Sequence, residues 1–235
     1  MKGPKLDQWI CFWSIPFFYT LFGLIFVLLG RIMPPQSPTA SVQEIVAYML
    51  APKLGLGMAL LCLTLGLASL SSGIIVVQMR RMEGVSPVLA YGYLAALAVA
   101  GVPGCLFPCF AFALGGFRPE YAPQIQVMLY EIGFLSFVGS LGCFTIQYLM
   151  FAIAIFLDKR KIFPVWLGYV TIWALMTELV AIPTWITRTG PFAWDGLLTF
   201  YQGTVIFVGW EFLMCVCLYR AIKNQPLEEL AYHVA

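Results

Sequence analysis

The chain has 235 residues, 61% of them hydrophobic and only 10% charged, with a formal net charge of +2. A soluble domain carries roughly 25% charged residues, and here the apolar residues gather in runs long enough to cross a bilayer. A single soluble domain is excluded, and so small a charge gives no reason to expect a nucleic-acid partner.

The runs predict an all-α integral membrane bundle of six transmembrane helices, one domain over 1–235. The spans are expected at about 9–30, 54–77, 88–114, 125–157, 163–186 and 197–218. The first run follows Met1, Lys2 and Lys5, as a signal peptide would. It is longer than the ~7–15 residues of a signal h-region and is read as a helix that stays. The fourth run exceeds the ~20 residues that a crossing needs, so it is expected to tilt or to begin in the interface. Between the first two spans, Ser41 and Glu44 stand in an S-x-x-E capping box. Val42, Ile45, Val46 and Met49 follow at helical spacing, which predicts an amphipathic helix over about 41–50, lying on the outer surface.

Lysine and arginine set the orientation. Arg31, Lys53, Arg118 and Arg188 fall in one set of connecting segments, and the other nine of the 13 basic residues in the opposite set. Both termini are therefore expected in the cytoplasm. Phe192 and Trp194, in "GPFAWDG", suit a membrane interface.

Small residues mark the helix faces that approach one another in lipid. The second span has Cys62, Gly66, Ser69 and Gly73 in one stripe. The fourth has Ser136, Ser140, Cys143 and Gln147, and the fifth has Gly168, Thr171, Ala174, Glu178 and Ala181. These three helices are expected to face each other. In the third span, "GVPGCLFPCFAF", Pro103 and Pro108 each remove a backbone donor and should kink or interrupt the helix, making it a hinge.

Two acids stand out. Glu178 interrupts "WALMTELVAIPTW" and Glu211 interrupts "FVGWEFLMC". A carboxylate at the membrane centre costs on the order of 2.5–3.5 kcal/mol on insertion scales, so such a group is a functional candidate by default. Counted from the expected span ends, the two lie at different depths. Glu131 is expected at the outer interface. Glu178, Gln147 and Glu211 are the candidate polar contacts of a ligand site between the third, fourth, fifth and sixth spans. Trp173, Trp185 and Phe192 are its candidate aromatic walls.

Other chemistry has little support. All seven cysteines lie in apolar runs and read as buried thiols. One histidine, His233, cannot build a haem or metal centre, so neither metal nor cofactor is expected. No nucleophile elbow, zinc-binding H-E-x-x-H or phosphate-binding glycine loop occurs, so no catalytic residue is assigned.

Four strings, "QMRRMEG" (78–84), "FRPEYAP" (117–123), "FPVWLGY" (163–169) and "GPFAWDG" (190–196), occur in an order that resembles a family of bacterial, mainly actinobacterial-type, multi-spanning membrane proteins of unknown activity. The resemblance implies a bacterial inner-membrane protein and transfers no catalytic residue. The expected function is binding or transport of a hydrophobic or weakly polar small molecule. The alternative is a non-catalytic membrane subunit or scaffold. Expected partners are membrane lipids, that small molecule, and a membrane protein or a second copy of the chain.

Overall fold

The computed structural model describes residues 5–139 and 144–233. Among these there is no strand. In chain order the helices are α1 (Leu6–Leu29), α2 (Val42–Met49), α3 (Pro52–Met79), α4 (Pro87–Gly116), α5 (Pro123–Phe134), α6 (Thr145–Leu157), α7 (Val165–Trp185) and α8 (Leu197–Lys223). Five of them, α1, α3, α4, α7 and α8, are long and apolar enough to cross a membrane. The fourth expected span is seen as two helices, α5 and α6, on either side of residues 140–143. Ser140 and Cys143 therefore lie outside the described residues.

Local chemistry explains where helices start. Pro52, Pro87 and Pro123 each open a helix, where a missing N–H leaves no bond unmade. The capping box at α2 forms in full: the Ser41 hydroxyl accepts from the Glu44 N–H, and the Glu44 carboxylate accepts from the Ser41 N–H at 2.7 Å. Ile45 and Met49 of α2 are buried, because the helix packs against α5.

Pro103 and Pro108 do not break α4, which runs unbroken through both. The helix instead widens into a π turn over Val102–Leu106 and resumes at Phe107. A π turn accommodates the lost donors without opening the helix. Similar wide turns end α1 at Ile25–Leu29, continue α5 over Leu135–Gly139 and begin α8 at Leu197–Tyr201.

Close packing relies on glycine. A Cβ on Gly116 of α4 would lie 2.7 Å from the Cα of Gly55 on α3, so the two backbones touch. A Cβ on Gly168 of α7 would meet the Phe156 ring of α6 at 2.7 Å. The α7 stripe does face protein: Thr171, Ala174, Glu178 and Ala181 are all buried. The α3 stripe behaves otherwise. Gly66, Ser69 and Gly73 are exposed, and a Cβ on either glycine would meet nothing within 4 Å. This face was expected inward; small residues permit a close neighbour without requiring one in the same chain, and the buried face of α3 carries Leu54, Met58, Leu61, Ile74 and Ile75.

Two polar networks close the ends of the bundle. At the basic end the buried Asp158 carboxylate accepts from the backbone N–H groups of Glu83, Arg160 and Ile162, at 3.0, 2.9 and 2.7 Å. This ties the α3–α4 turn to the α6–α7 turn. At the opposite end three aromatic donors hold the segment after α1: Tyr48 on Gly30 O, Trp194 Nε1 on Gln36 O and Tyr130 on Ser37 O, at 3.3, 2.8 and 2.7 Å. Trp194 is thus a core residue, stacked on Phe134 with centroids 5.6 Å apart, and not an interfacial anchor.

The glycine contacts give a paired prediction. Gly116→Ala should cost about 1–3 kcal/mol by overpacking against the α3 backbone. Gly101→Ala, where a Cβ meets nothing within 4 Å, should leave the melting temperature in detergent unchanged or raise it. Equal effects of the two substitutions would contradict the packing described.

Candidate functional site

The α7 helix rises from the basic end at Val165, and α8 returns to that end at Lys223. At ~1.5 Å per residue, Glu178 stands about 20 Å and Glu211 about 18 Å from those helix ends. These are distances along each helix and set no common level for the two acids: Trp210, beside Glu211, bonds Thr171, seven residues before Glu178. The α8 helix continues to Lys223, beyond the expected stop at 218.

Glu178 is buried, with 3% of its surface exposed. Glu211 is partly exposed as a residue, yet its Oε2 is buried. The Tyr19 hydroxyl of α1 donates to Glu211 Oε1 at 2.8 Å. Tyr148 of α6 is buried and lies within electrostatic reach of both Glu178 and Glu211. Tyr93 of α4 is within reach of Glu211. Among the described residues, Glu178 Oε2, Glu211 Oε2 and Gln147 Oε1 are buried without a hydrogen-bond partner. Gln126 Oε1 and Thr184 Oγ1 are likewise unpaired; an acceptor shielded from water costs free energy, and of these five groups the two carboxyls cost most to bury.

An aromatic layer adjoins the acids. The Trp210 Nε1–H donates to Thr171 Oγ1 at 2.9 Å, and that hydroxyl donates to Leu167 O at 2.8 Å. Tyr148 and Trp210 meet edge to face at 4.8 Å, and Phe151 lies 6.3 Å from the Trp210 ring. Here the Trp210 indole and the Thr171 hydroxyl are each satisfied by a neighbour, unlike the unpaired oxygens above.

The expected aromatic walls are placed elsewhere. Trp173 is 61% exposed on the outside of α7. Trp185 is also exposed, although its ring covers Gly139 and its Nε1–H donates to Gly139 O at 3.2 Å. Phe192 is half-buried, in the turn before α8. Pro103 is half-buried and Pro108 buried, both on α4. Glu131 pairs with Arg188 at 2.8 Å.

Two hollows are present. A crevice of about 10 Å³ lies where three π turns meet and is lined by Phe26, Cys105, Phe137 and Pro108, among others. It has room for about one water. A groove of about 350 Å³ runs along α4 and α5 between Phe107, Phe110, Leu129 and Ile132. Neither is lined by Glu178, Gln147 or Glu211. Among the described residues no cluster of His, Cys, Asp and Glu could hold a metal ion.

Tyr19 and Tyr148 are the site residues that sequence reasoning missed. Their signal was available: a tyrosine deep in an apolar span needs an acceptor for its hydroxyl, and the interior acids were the acceptors in question. The chain matches no protein-family model, no curated protein and no solved structure.

Tyr19→Phe removes the one donor on the Glu211 carboxyl and should destabilise the protein by about 1–3 kcal/mol. Adding Glu211→Leu should recover much of that loss, since removing both partners leaves nothing unpaired. A double-mutant cycle on detergent melting curves reads the coupling. Additive effects would mean that the bond contributes nothing.

Proposed function

We propose that the chain crosses a bacterial inner membrane six times with both termini in the cytoplasm, and that it binds or moves a hydrophobic or weakly polar small molecule. Lysine and arginine placement supports the orientation. The reading of function is carried by one observation: Glu178 and Glu211 stand on neighbouring helices with Tyr148 within electrostatic reach of both, and among the described residues each keeps a buried oxygen without a partner. Interior ionisable groups of this kind mark substrate and ion pathways in membrane proteins. A ligand that donates a hydrogen bond to those oxygens would offset the cost of their burial. Neither of the two hollows described above is lined by the acids, and this reading has the helices around Tyr148 part to admit the ligand.

Native mass spectrometry in mild detergent tests this directly. Wild-type protein should retain a non-lipid small molecule that Glu178→Gln loses. A wild-type protein that carries no such molecule, from membranes and after incubation with membrane extract, would overturn the reading.

A second reading, a non-catalytic subunit that packs against another membrane protein or a second copy, is favoured by the exposed Gly66, Ser69 and Gly73 on α3. In lipid, small residues let helices approach closely. Gly66→Leu and Gly73→Leu would then abolish a cross-linked species in native membranes without lowering the melting temperature. An unchanged cross-linking pattern would remove this reading.

A further inference from the structure

At the basic end the chain holds its own C-terminal segment by one carboxylate. After α8, residues Leu227–His233 form a short 3₁₀ stretch. Glu229 bridges two arginines there: Arg81 Nε donates to Oε2 at 2.7 Å, and Arg160 Nη2 donates to Oε1 at 2.8 Å. The arginines come from different turns, after α3 and after α6. Their own contacts pre-set them. Arg81 Nη1 donates to Gln78 Oε1 and to Ala221 O, and Arg160 Nη1 donates to Arg81 O at 3.2 Å. Two N–H groups are thereby aimed at the two ends of one O–C–O unit.

The charge at this fork does not balance. Lys5 lies close behind it, donating to Ile222 O at 2.7 Å and Gln225 O at 2.5 Å. Its ammonium is held below the usual lysine range by burial and by the nearby Arg81, with Glu229 acting the other way. Burial pushes the Glu229 carboxyl up, but the bonds and charges of Arg81 and Arg160 outweigh this and hold it below the usual carboxylate range. Asp158, two residues before Arg160, is occupied by three backbone N–H groups. Three cations thus share one carboxylate, with a single negative charge and two acceptor oxygens.

We infer that the Arg81–Arg160 fork, backed by Lys5, is a phosphate-binding site that Glu229 occupies as an internal stand-in. A phosphate group offers the same O–X–O span, a further acceptor oxygen and more negative charge, and arginine pairs favour such bidentate anions. Its arrival displaces Glu229 and frees the segment after α8. The phosphate can belong to an anionic lipid headgroup, since this end meets the cytoplasmic leaflet in the proposed orientation, or to a soluble phosphorylated compound. The site does not involve Glu178 and stands or falls apart from the proposed ligand site.

The test follows tryptic cleavage after Lys223, which opens when the segment leaves. Full-length protein in neutral detergent is titrated with inorganic phosphate against sodium chloride at equal ionic strength. In parallel it is placed in nanodiscs of phosphatidylcholine with or without phosphatidylglycerol. Cleavage should accelerate several-fold with phosphate, with phosphatidylglycerol, or with both. A response to free phosphate names a soluble ligand, and a response to phosphatidylglycerol alone names the headgroup. Glu229→Gln should cleave rapidly without either and bind the active species about tenfold more tightly by calorimetry, having lost its competitor. Arg160→Gln should lose the response. If neither species exceeds chloride, or if Glu229→Gln binds no more tightly than wild type, the inference is overturned.

Discussion

Polar atoms in this bundle must find their partners within the chain, because a helix set among lipid tails has no water to turn to. That constraint organises most of the interior. The Thr171 hydroxyl accepts from Trp210 and passes its own proton to Leu167 O. Ser69 and Ser72 each bond back to a carbonyl of their own helix, Gly66 O and Ser69 O at 2.7 Å. Asp158, with no exposed surface, spends its two oxygens on three backbone N–H groups. Against this background the unpaired oxygens of Gln126, Gln147, Glu178, Thr184 and Glu211 are exceptions among the described residues, and the two that belong to acids within spans are where function is sought.

The same constraint explains how the two ends differ. At the basic end the polar groups are long and charged, and they tie together segments far apart in sequence. Gln78 donates to Gln8 at 2.9 Å, Lys5 to the carbonyls of Ile222 and Gln225 at the end of α8 and just beyond it, and Arg81 to Glu229. At the opposite end the donors are tyrosine and tryptophan, whose rings also fill the core around Phe112 and Phe134. There the segment between α1 and α2 is fixed by its carbonyls, so side chains at 31–41 need not be large. One end is held by charge and responds to ions; the other is held by packing and neutral bonds and responds weakly to them.

Much of the helix pattern was legible in the sequence, because apolar length is a direct consequence of what a bilayer demands. The starts of α3, α4 and α5 at Pro52, Pro87 and Pro123, and the Ser41 cap, follow from local rules. What sequence could not supply was rotation. The stripe on α7 and the stripe on α3 look alike as strings, yet Ala174 is buried and Gly73 is exposed. Small residues are compatible with a close neighbour without requiring one. Trp173 and Trp185 were equally ambiguous, since a tryptophan serves an interior wall or an outer surface with the same composition around it. The end of α8 was missed for a simpler reason: its last turn carries Arg220 and Lys223, and a charge-based boundary stopped short of residues that the helix includes.

The tyrosines around Glu178 and Glu211 bear on what the two acids can do. Tyr148 stands within reach of both acids and against Trp210, while Tyr19 is committed to Glu211. One carboxyl thus has a fixed donor from α1, whereas Glu178 Oε2 and Glu211 Oε2 have none among the described residues. A structure that only needed rigid packing would gain by replacing such groups with apolar side chains of similar volume. Retaining two acids, with a phenol in reach of both and, among the described residues, basic side chains only near the ends of the spans, leaves an interior that accepts hydrogen bonds more readily than it supplies them. A guest that satisfies this interior brings donors on one small part and apolar surface on the rest, which is the chemistry of the weakly polar ligand proposed above.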